Sequence, residues 1–241
     1  MRFDIMTLFP DAVRGMLDSS IIGRAQKNEI LEINTHNIRD YAFNKHKSVD
    51  DTPYGGGMGM LMATDPIYEC YKAILSTVPS DAKTRVIYMS PKGRVLTQTR
   101  AKELCEYDDI IILCGHYEGI DQRIIDEIVD EEISIGDYVL SGGELPACVL
   151  VDCISRMVEG VLPDAQCYED ESISAGLLEY PQYTRPYEFM GKKVPDVLIS
   201  GNHAKIAEWR HERSLELTRE RRPDMYEEYI KNNPPKEKKK R

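Results

Sequence analysis

The densest chemical signal in the chain is Ser134-Ile135-Gly136-Asp137-Tyr138-Val139-Leu140-Ser141-Gly142-Gly143-Glu144-Leu145-Pro146. It sets three glycines between an apolar strand pattern and an apolar helix pattern. Glycine lets main chain come close to a ligand because no Cβ intervenes. Valine and leucine between the glycines add an apolar wall. Such a segment suits a flat, partly polar small molecule held through main-chain groups. Two further loops, Ser90-Pro91-Lys92-Gly93 and Gly115-His116-Tyr117-Glu118-Gly119, also follow strand patterns. A single glycine cluster is usually a turn, but open α/β sheets bind ligands outside the carboxyl ends of their strands. Three such loops make a shared binding site the better reading. No GxGxxG opens a helix after a strand, so an ordinary dinucleotide fold is not indicated. No GK[ST] follows Tyr54–Met60, so that loop is not a P-loop.

The elements that must carry these loops alternate. Phe3–Phe9, Leu31–Ile38, Arg85–Met89, Asp109–Cys114 and Ile133–Ile135 read as strands. Pro10 opens a turn or helix, and Tyr41–Thr52 reads as a loop. Thr64 or Asp65 caps a helix that has Pro66 in its first turn and runs to about Leu75. Thr97–Tyr107 and Asp121–Val129 read as helices. A longer helix spans about Glu144 to Glu159, with an apolar stripe of Ala147, Val151, Ile154 and Val158 from which Arg156 points away. Strands alternating with helices imply an α/β domain with a mostly parallel sheet. Gly160–Gly176 is acidic and poor in apolar residues, so it reads as an exposed linker. Beyond it, Tyr180–Pro186 is extended, His203–Arg219 is helical, and Pro223 opens a last short helix. The expected division is therefore 1–160 as the α/β domain, 161–176 as linker and 177–241 as a small all-helical domain.

The 241 residues carry a net charge of −10, which by itself argues against a polyanionic partner. The charge is uneven, however. Arg210–Arg241 holds eleven basic and seven acidic residues, a net of +4, which leaves −14 on the rest. The terminal Lys236–Arg241 run could attract phosphates. No apolar run approaches membrane-spanning length, and Met1-Arg2-Phe3-Asp4 does not open a signal peptide. A cytoplasmic protein is expected. The six cysteines form no CxxC pair and the five histidines are scattered, so buried reduced thiols are expected and no metal ligand is assigned.

Four segments together resemble the bacterial tRNA (guanine-N1)-methyltransferases of the SPOUT class: Ser134–Pro146, Tyr54-Gly55-Gly56-Gly57-Met58-Gly59-Met60, Cys114–Asp121 and Ser200-Gly201-Asn202-His203. The match runs from Phe3 to about Tyr226. The resemblance implies an α/β domain with a deep trefoil knot, one of the few exceptions to unthreaded chains, and S-adenosylmethionine bent into that knot. The implied cofactor contacts are Tyr88, Ser90 and Pro91 in the first loop, Gly115 and Tyr117 in the second, and Ile135, Gly136, Tyr138, Leu140, Gly142 and Gly143 in the third. It also implies a homodimer with sites shared between subunits, tRNA as substrate, and a possible requirement for Mg2+.

The implied reaction is methyl transfer to N1 of the guanosine at tRNA position 37. N1 carries a proton at neutral pH, so the chemistry needs a base near N1, a cation or donor near O6 and a linear approach to the methyl carbon. The family uses an aspartate before Ser-Phe as base. This chain has Glu169-Asp170-Glu171-Ser172-Ile173, which puts Glu171 at the base position, with Asp170 as the alternative. Arg156 matches the family's catalytic arginine. Glu118 matches a glutamate near the guanine, or else caps the helix that starts at Asp121. Asp50, Gly55, Gly56, Gly57 and Gly59 match guanosine-side contacts, with Met58 where the family has proline or alanine. Arg185, Asn202, His203, Arg210, Arg221 and Arg222 would meet tRNA phosphates or bases. Trp209 would be a stacking surface or, more simply, core of the helical domain. Two other readings stay open on sequence alone: a SPOUT enzyme that methylates ribose 2′-OH, and a non-catalytic RNA-binding module that keeps the fold.

Overall fold

The apolar run Asp109–Cys114 becomes a strand buried along its whole length, the middle of a five-stranded sheet. In chain order the strands of this sheet are β1 (Arg2–Thr7), β2 (Glu32–Asn37), β5 (Thr84–Val95), β6 (Asp109–Cys114) and β7 (Glu131–Ser134). They lie in the order β2-β1-β6-β5-β7, and every pairing is parallel. Between them, β3 (Asp50–Asp51) and β4 (Leu61–Met62) form a small antiparallel pair. The computed structural model describes residues 1–164, 172–173 and 176–234. The chain divides into two units, Met1–Asp164 and Ala165–Arg241.

Parallel strands are joined by crossovers, so helices cover both faces and the central strands are apolar on both sides. Alternate residues accordingly feed two cores. Phe3, Ile5, Ile110, Ile112 and Ile87 pack with α1 (Pro10–Leu17), α2 (Ser20–Lys27), α4 (Gln98–Leu104) and α6 (Glu144–Ser155). Met6, Ile111, Leu113, Val86 and Tyr88 pack on the other side with α3 (Thr64–Leu75) and α5 (Gln122–Ile128).

Several expected boundaries are corrected. Strand β5 does not stop at Met89 but resumes to Val95. Met89 and Arg94 both pair with Ile133, so Ser90–Gly93 is looped out of a continuing strand. Pro91, which cannot donate a ladder hydrogen bond, falls in that bulge. Helix α3 begins at Thr64 with Ala63 at its N-cap and no side-chain cap, so neither Thr64 nor Asp65 caps it. Helix α6 ends at Ser155 rather than Glu159, and Met157 and Val158 close onto Ile154 and Ser155 in turns. The stretch expected as a loop from Tyr41 to Thr52 contains β3, and a 3-10 turn, Ile38–Tyr41, precedes it.

The second unit is not all-helical. Its described part contains an antiparallel hairpin, β8 (Glu188–Phe189) and β9 (Lys192–Lys193), before α7 (His203–Arg221) and α8 (Pro223–Asn232). The interior formed by its described residues is small and polar. Thr218 Oγ1 donates to Ser214 O (2.6 Å) and accepts from Leu178 N (2.8 Å), and beside these Leu177 is buried.

Candidate active site

The loops after β6 and β7 and the bulge of β5 meet at the carboxyl edge of the sheet and enclose a cavity of about 300 Å³. Volumes near this lower bound still admit small-molecule ligands. All eleven residues expected around the cofactor line it: Tyr88, Ser90 and Pro91; Gly115 and Tyr117; and Ile135, Gly136, Tyr138, Leu140, Gly142 and Gly143. The loops are cross-braced by main chain. Gly143 N donates to Gly115 O (2.9 Å), and Leu96 N donates to Ser134 O (2.8 Å). Ser134 Oγ donates to Gly136 O (3.0 Å), and Tyr138 OH donates to Ile135 O (3.2 Å).

Glycine is required here for two separate reasons. Gly136 has φ +147°, a conformation that L side chains resist. Gly143 is a matter of space: a Cβ there would stand 2.7 Å from Cys114 Cα. The third loop therefore presses its backbone against the end of the central strand. Tyr117, a non-glycine residue, is held at φ +59°, a strained conformation of the kind that gathers at functional sites. Tyr88 is buried against Glu132, and burial first, then that carboxylate, push its phenol up to about 12. It stays neutral at any physiological pH and acts as a hydroxyl.

Glu118 sits on the rim. Its main-chain N donates to Met60 O (3.1 Å), and a Cβ on Gly59 would stand 2.3 Å from its Cγ. The Gly55–Gly59 loop, with positive φ at Gly55, Gly56, Gly57 and Gly59, thus docks beside the cavity mouth through Glu118. Helix α5 is capped by Asp121 Oδ1, which accepts from Arg123 N. That removes the capping role for Glu118. Asp50, in β3, pairs with Met62 of β4 on the same flank, and Tyr54 and Met58 are almost fully exposed.

Arg156 is not brought to the cavity within one chain. It is the C-cap of α6, half-buried, whereas the cavity touches that helix at Pro146 near its other end. Ten residues of helix separate them, about 15 Å at 1.5 Å per residue. Glu171 and Asp170 lie outside the described residues.

In the second unit, Asn202 Oδ1 accepts from Lys205 N (3.1 Å) and caps α7, which leaves His203 exposed in the first turn. Arg210 lies over the Tyr180 ring at 4.7 Å. Arg222 makes a two-pronged pair with Asp224, at 2.9 and 2.6 Å. Arg185 and Arg221 are exposed. Trp209 is half-buried with Tyr183 beside it, ring centroids 6.3 Å apart.

The model of the family described as tRNA (Guanine-1)-methyltransferase TrmD matches residues 1–228. The chain belongs to this family. A protein of Ruminiclostridium cellulolyticum named tRNA (guanine-N(1)-)-methyltransferase is 57% identical over 233 residues, covering 97% of this chain and 99% of the relative. Proteins of the same name from Clostridioides difficile and Staphylococcus aureus are 56% and 52% identical, covering 94% and 97% of this chain and 97% and 94% of the relatives.

Lys92, His116, Ser134, Ser141 and Pro146 are not among the expected contacts, yet they line the same cavity. All lie within segments already marked by their glycines. Their convergence depends on strand order, which residue spacing alone does not encode. Among the described residues no cluster of three or more His, Cys, Asp or Glu is placed to hold a metal ion, and the five described cysteines are free thiols. Among the described residues no helix is long and apolar enough to cross a membrane.

Proposed function

We propose that this chain transfers the methyl group of S-adenosylmethionine to N1 of the guanosine at tRNA position 37, beside the anticodon. Family membership across residues 1–228 supports a tRNA (guanine-N1)-methyltransferase. The observation that carries the reading to a site is the convergence of all eleven cofactor-pattern residues on one cavity. Those residues fit the cofactor: a Cβ on Gly115 would stand 2.8 Å from Tyr88 OH, both lining the cavity, and fill part of the cradle. Bound there, the cofactor supplies an electrophilic sulfonium methyl.

The protein's own task is to free the N1 lone pair. Glu171, with Asp170 as alternative, takes the N1 proton, and Glu118 on the rim accepts from the N1–N2 edge. Arg156 meets the negative charge that builds on O6. Arg156 stands at the far end of α6 from the cavity of its own chain, and Leu145 and Val149 leave an exposed apolar stripe on that helix. We therefore read the enzyme as a homodimer that pairs through this face, so that the partner subunit's Arg156 serves the cavity. The tRNA is gripped by Asp50 and the Gly55–Gly59 loop on the guanosine side, and by Arg185, Asn202, His203, Arg210, Arg221 and Arg222 of residues 177–241. Residues 161–176 serve as the linker. The chain leaves edge strand β7 and returns to press Gly143 on the central strand past the Ser90–Gly93 bulge, which supports the family's trefoil knot within residues 1–160. Among the described residues no cluster of carboxylates is placed to hold Mg2+. A cytoplasmic location completes the reading.

Tritium transfer from labelled S-adenosylmethionine to anticodon-stem RNA tests it. Label should enter the base only when guanosine occupies the target position. Transfer to ribose, or none, overturns it. Glu171→Ala should lower turnover about 10²- to 10⁴-fold, the range for loss of a general base, while binding of S-adenosylhomocysteine survives. The same loss in Asp170→Ala alone moves the base to Asp170.

A further inference from the structure

His116 lines the cavity, and its Nδ1 is buried with no hydrogen-bond partner. A buried polar atom left unpaired is costly, so such an atom in a folded protein calls for a partner. The ring is held in place by its neighbours. Phe9 packs on it at 5.2 Å between centroids, and Tyr117 meets it edge-on at 5.2 Å. Across the cavity wall stands Glu144, the first residue of α6. The point where a Gly142 Cβ would lie is 2.4 Å from Glu144 Oε2 and 2.7 Å from His116 Nδ1, so the carboxylate and the ring nitrogen converge on the space that glycine leaves open.

The other carboxylate oxygen is already fixed. The fully buried Thr7 at the end of β1 donates through Oγ1 to Glu144 Oε1 (2.7 Å), and the same hydroxyl accepts from Phe9 N (2.9 Å). One threonine therefore orients both the carboxylate facing His116 and the phenyl ring packed on it.

We propose that Glu144 is a positioning residue: although the two groups are not hydrogen-bonded in this structure, a turn of the carboxylate about its Thr7 anchor lets Oε2 accept the Nδ1 proton of His116 and so latch the Gly115–Gly119 loop to the Gly142–Glu144 turn. The latch fixes the loop that carries Tyr117 and Glu118, and a ring that donates through Nδ1 leaves Nε2 as the acceptor. It rests on the methyltransferase reading for its purpose, though not for its chemistry.

The test reads the tautomer of His116 in the ligand-free protein by nitrogen-15 NMR at mildly alkaline pH. Wild type should hold the Nδ1–H form, against the usual preference of free imidazole. In Glu144→Gln the amide oxygen keeps the Thr7 hydrogen bond and the amide NH2 turns toward the ring, so His116 should switch to the Nε2–H form. A wild-type Nε2–H ring, or a tautomer indifferent to Glu144→Gln, overturns the latch. Because no methyl transfer is measured, this result stands apart from the fate of the guanosine reading. A second measurement separates positioning from simple packing. His116→Asn keeps an N–H donor near the Nδ1 position, whereas His116→Gln puts it near Nε2. S-adenosylhomocysteine should bind His116→Asn nearly as tightly as wild type and His116→Gln about tenfold more weakly, the scale of a lost hydrogen bond to a charged group. Equal weakening in both also overturns it.

Discussion

The two units of this chain are built on opposite principles. Residues 1–164 bury apolar side chains on both faces of a parallel sheet, and the central strand β6 is inaccessible along its length. In the second unit, described residues 176–234 bury little more than Leu177, Ser214 and Thr218, and Phe189, Met190 and Ile199 stay exposed. A close-packed interior transmits strain and holds a cavity to shape before any ligand arrives. A sparse, polar interior costs little to deform, and its exposed aromatic and basic side chains suit a partner that completes it. On the proposed function, the first unit would fix a small cofactor and the second would conform to a large polyanion.

The contrast breaks most readily at the joint between glycine and strand. Gly143→Val should abolish measurable S-adenosylhomocysteine binding and lower stability by about 3 kcal/mol, in the upper range for overpacking. The reason is that even a Cβ would sit 2.7 Å from Cys114 Cα, a backbone atom that cannot yield. Calorimetric titration and thermal melting check both. If the variant binds normally, the first unit is more pliable than its packing implies.

A second test concerns charge inside the rigid unit. Asp4 and Asp109 are both buried. Arg2 Nε and His36 Nε2 donate to Asp4 at 2.5 and 2.6 Å; burial works to raise its carboxyl, but these hydrogen bonds and the neighbouring charges together outweigh it and hold the carboxyl below the usual range. Asp109, with no donor of its own among the hydrogen bonds, is pushed up to about 7 by burial first and then by Asp4. A carboxyl raised above its unfolded value binds its proton more tightly in the folded state. Its contribution is therefore complete below about pH 4 and is lost as pH rises toward 7. Asp109→Asn should remove that loss. The variant should exceed wild type by about 2 kcal/mol at pH 8, with the gain fading at pH 5. Urea melts at the two pH values decide; a gain of equal size at both would deny the burial effect. Asp4, lowered instead, contributes stability at neutral pH that fades as pH falls into the acid range.

In the second unit the effects should be smaller and local. Thr218→Val keeps the shape but strips the hydroxyl that serves Leu178 N and Ser214 O, at about 1–2 kcal/mol for an unsatisfied amide. Hydrogen exchange should quicken in α7 and around Leu178 while cofactor affinity holds. Loss of cofactor affinity would show that the units are not independent. Smallest of all, Arg222→Ala removes an exposed pair with Asp224 and should leave the melting temperature unchanged. If Arg222 meets a phosphate, tRNA binding should weaken and the slope of log affinity against log salt should become shallower by about one.

Much of this was legible in residue order. The alternation in Phe3–Phe9 and the apolar run Asp109–Cys114 both mark their strands, although β1 proves buried at every position from Phe3 to Thr7 rather than on one face. Asp121 likewise announces a helix start by its own side chain. The bulge in β5 was not legible. Ser90-Pro91 looks like a strand end, and only the edge strand β7, about forty residues on, recruits Arg94 and Val95 back into the sheet. The β8–β9 hairpin escaped for the opposite reason: two residues on each side are too few to show a period.

What the sequence determined by itself is the inventory: an alternating α/β order, three glycine-bearing loops, and a family signature dense enough to name the chemistry. What only the tertiary structure decided is which of those residues share a space. It drew all three loops to one edge of the sheet, set Glu144 against His116 across the gap at Gly142, and left Arg156 at the wrong end of its own helix. The physical reason is that strand order and helix length fix distances between residues far apart in the chain, while spacing along the chain fixes distances only within a single element.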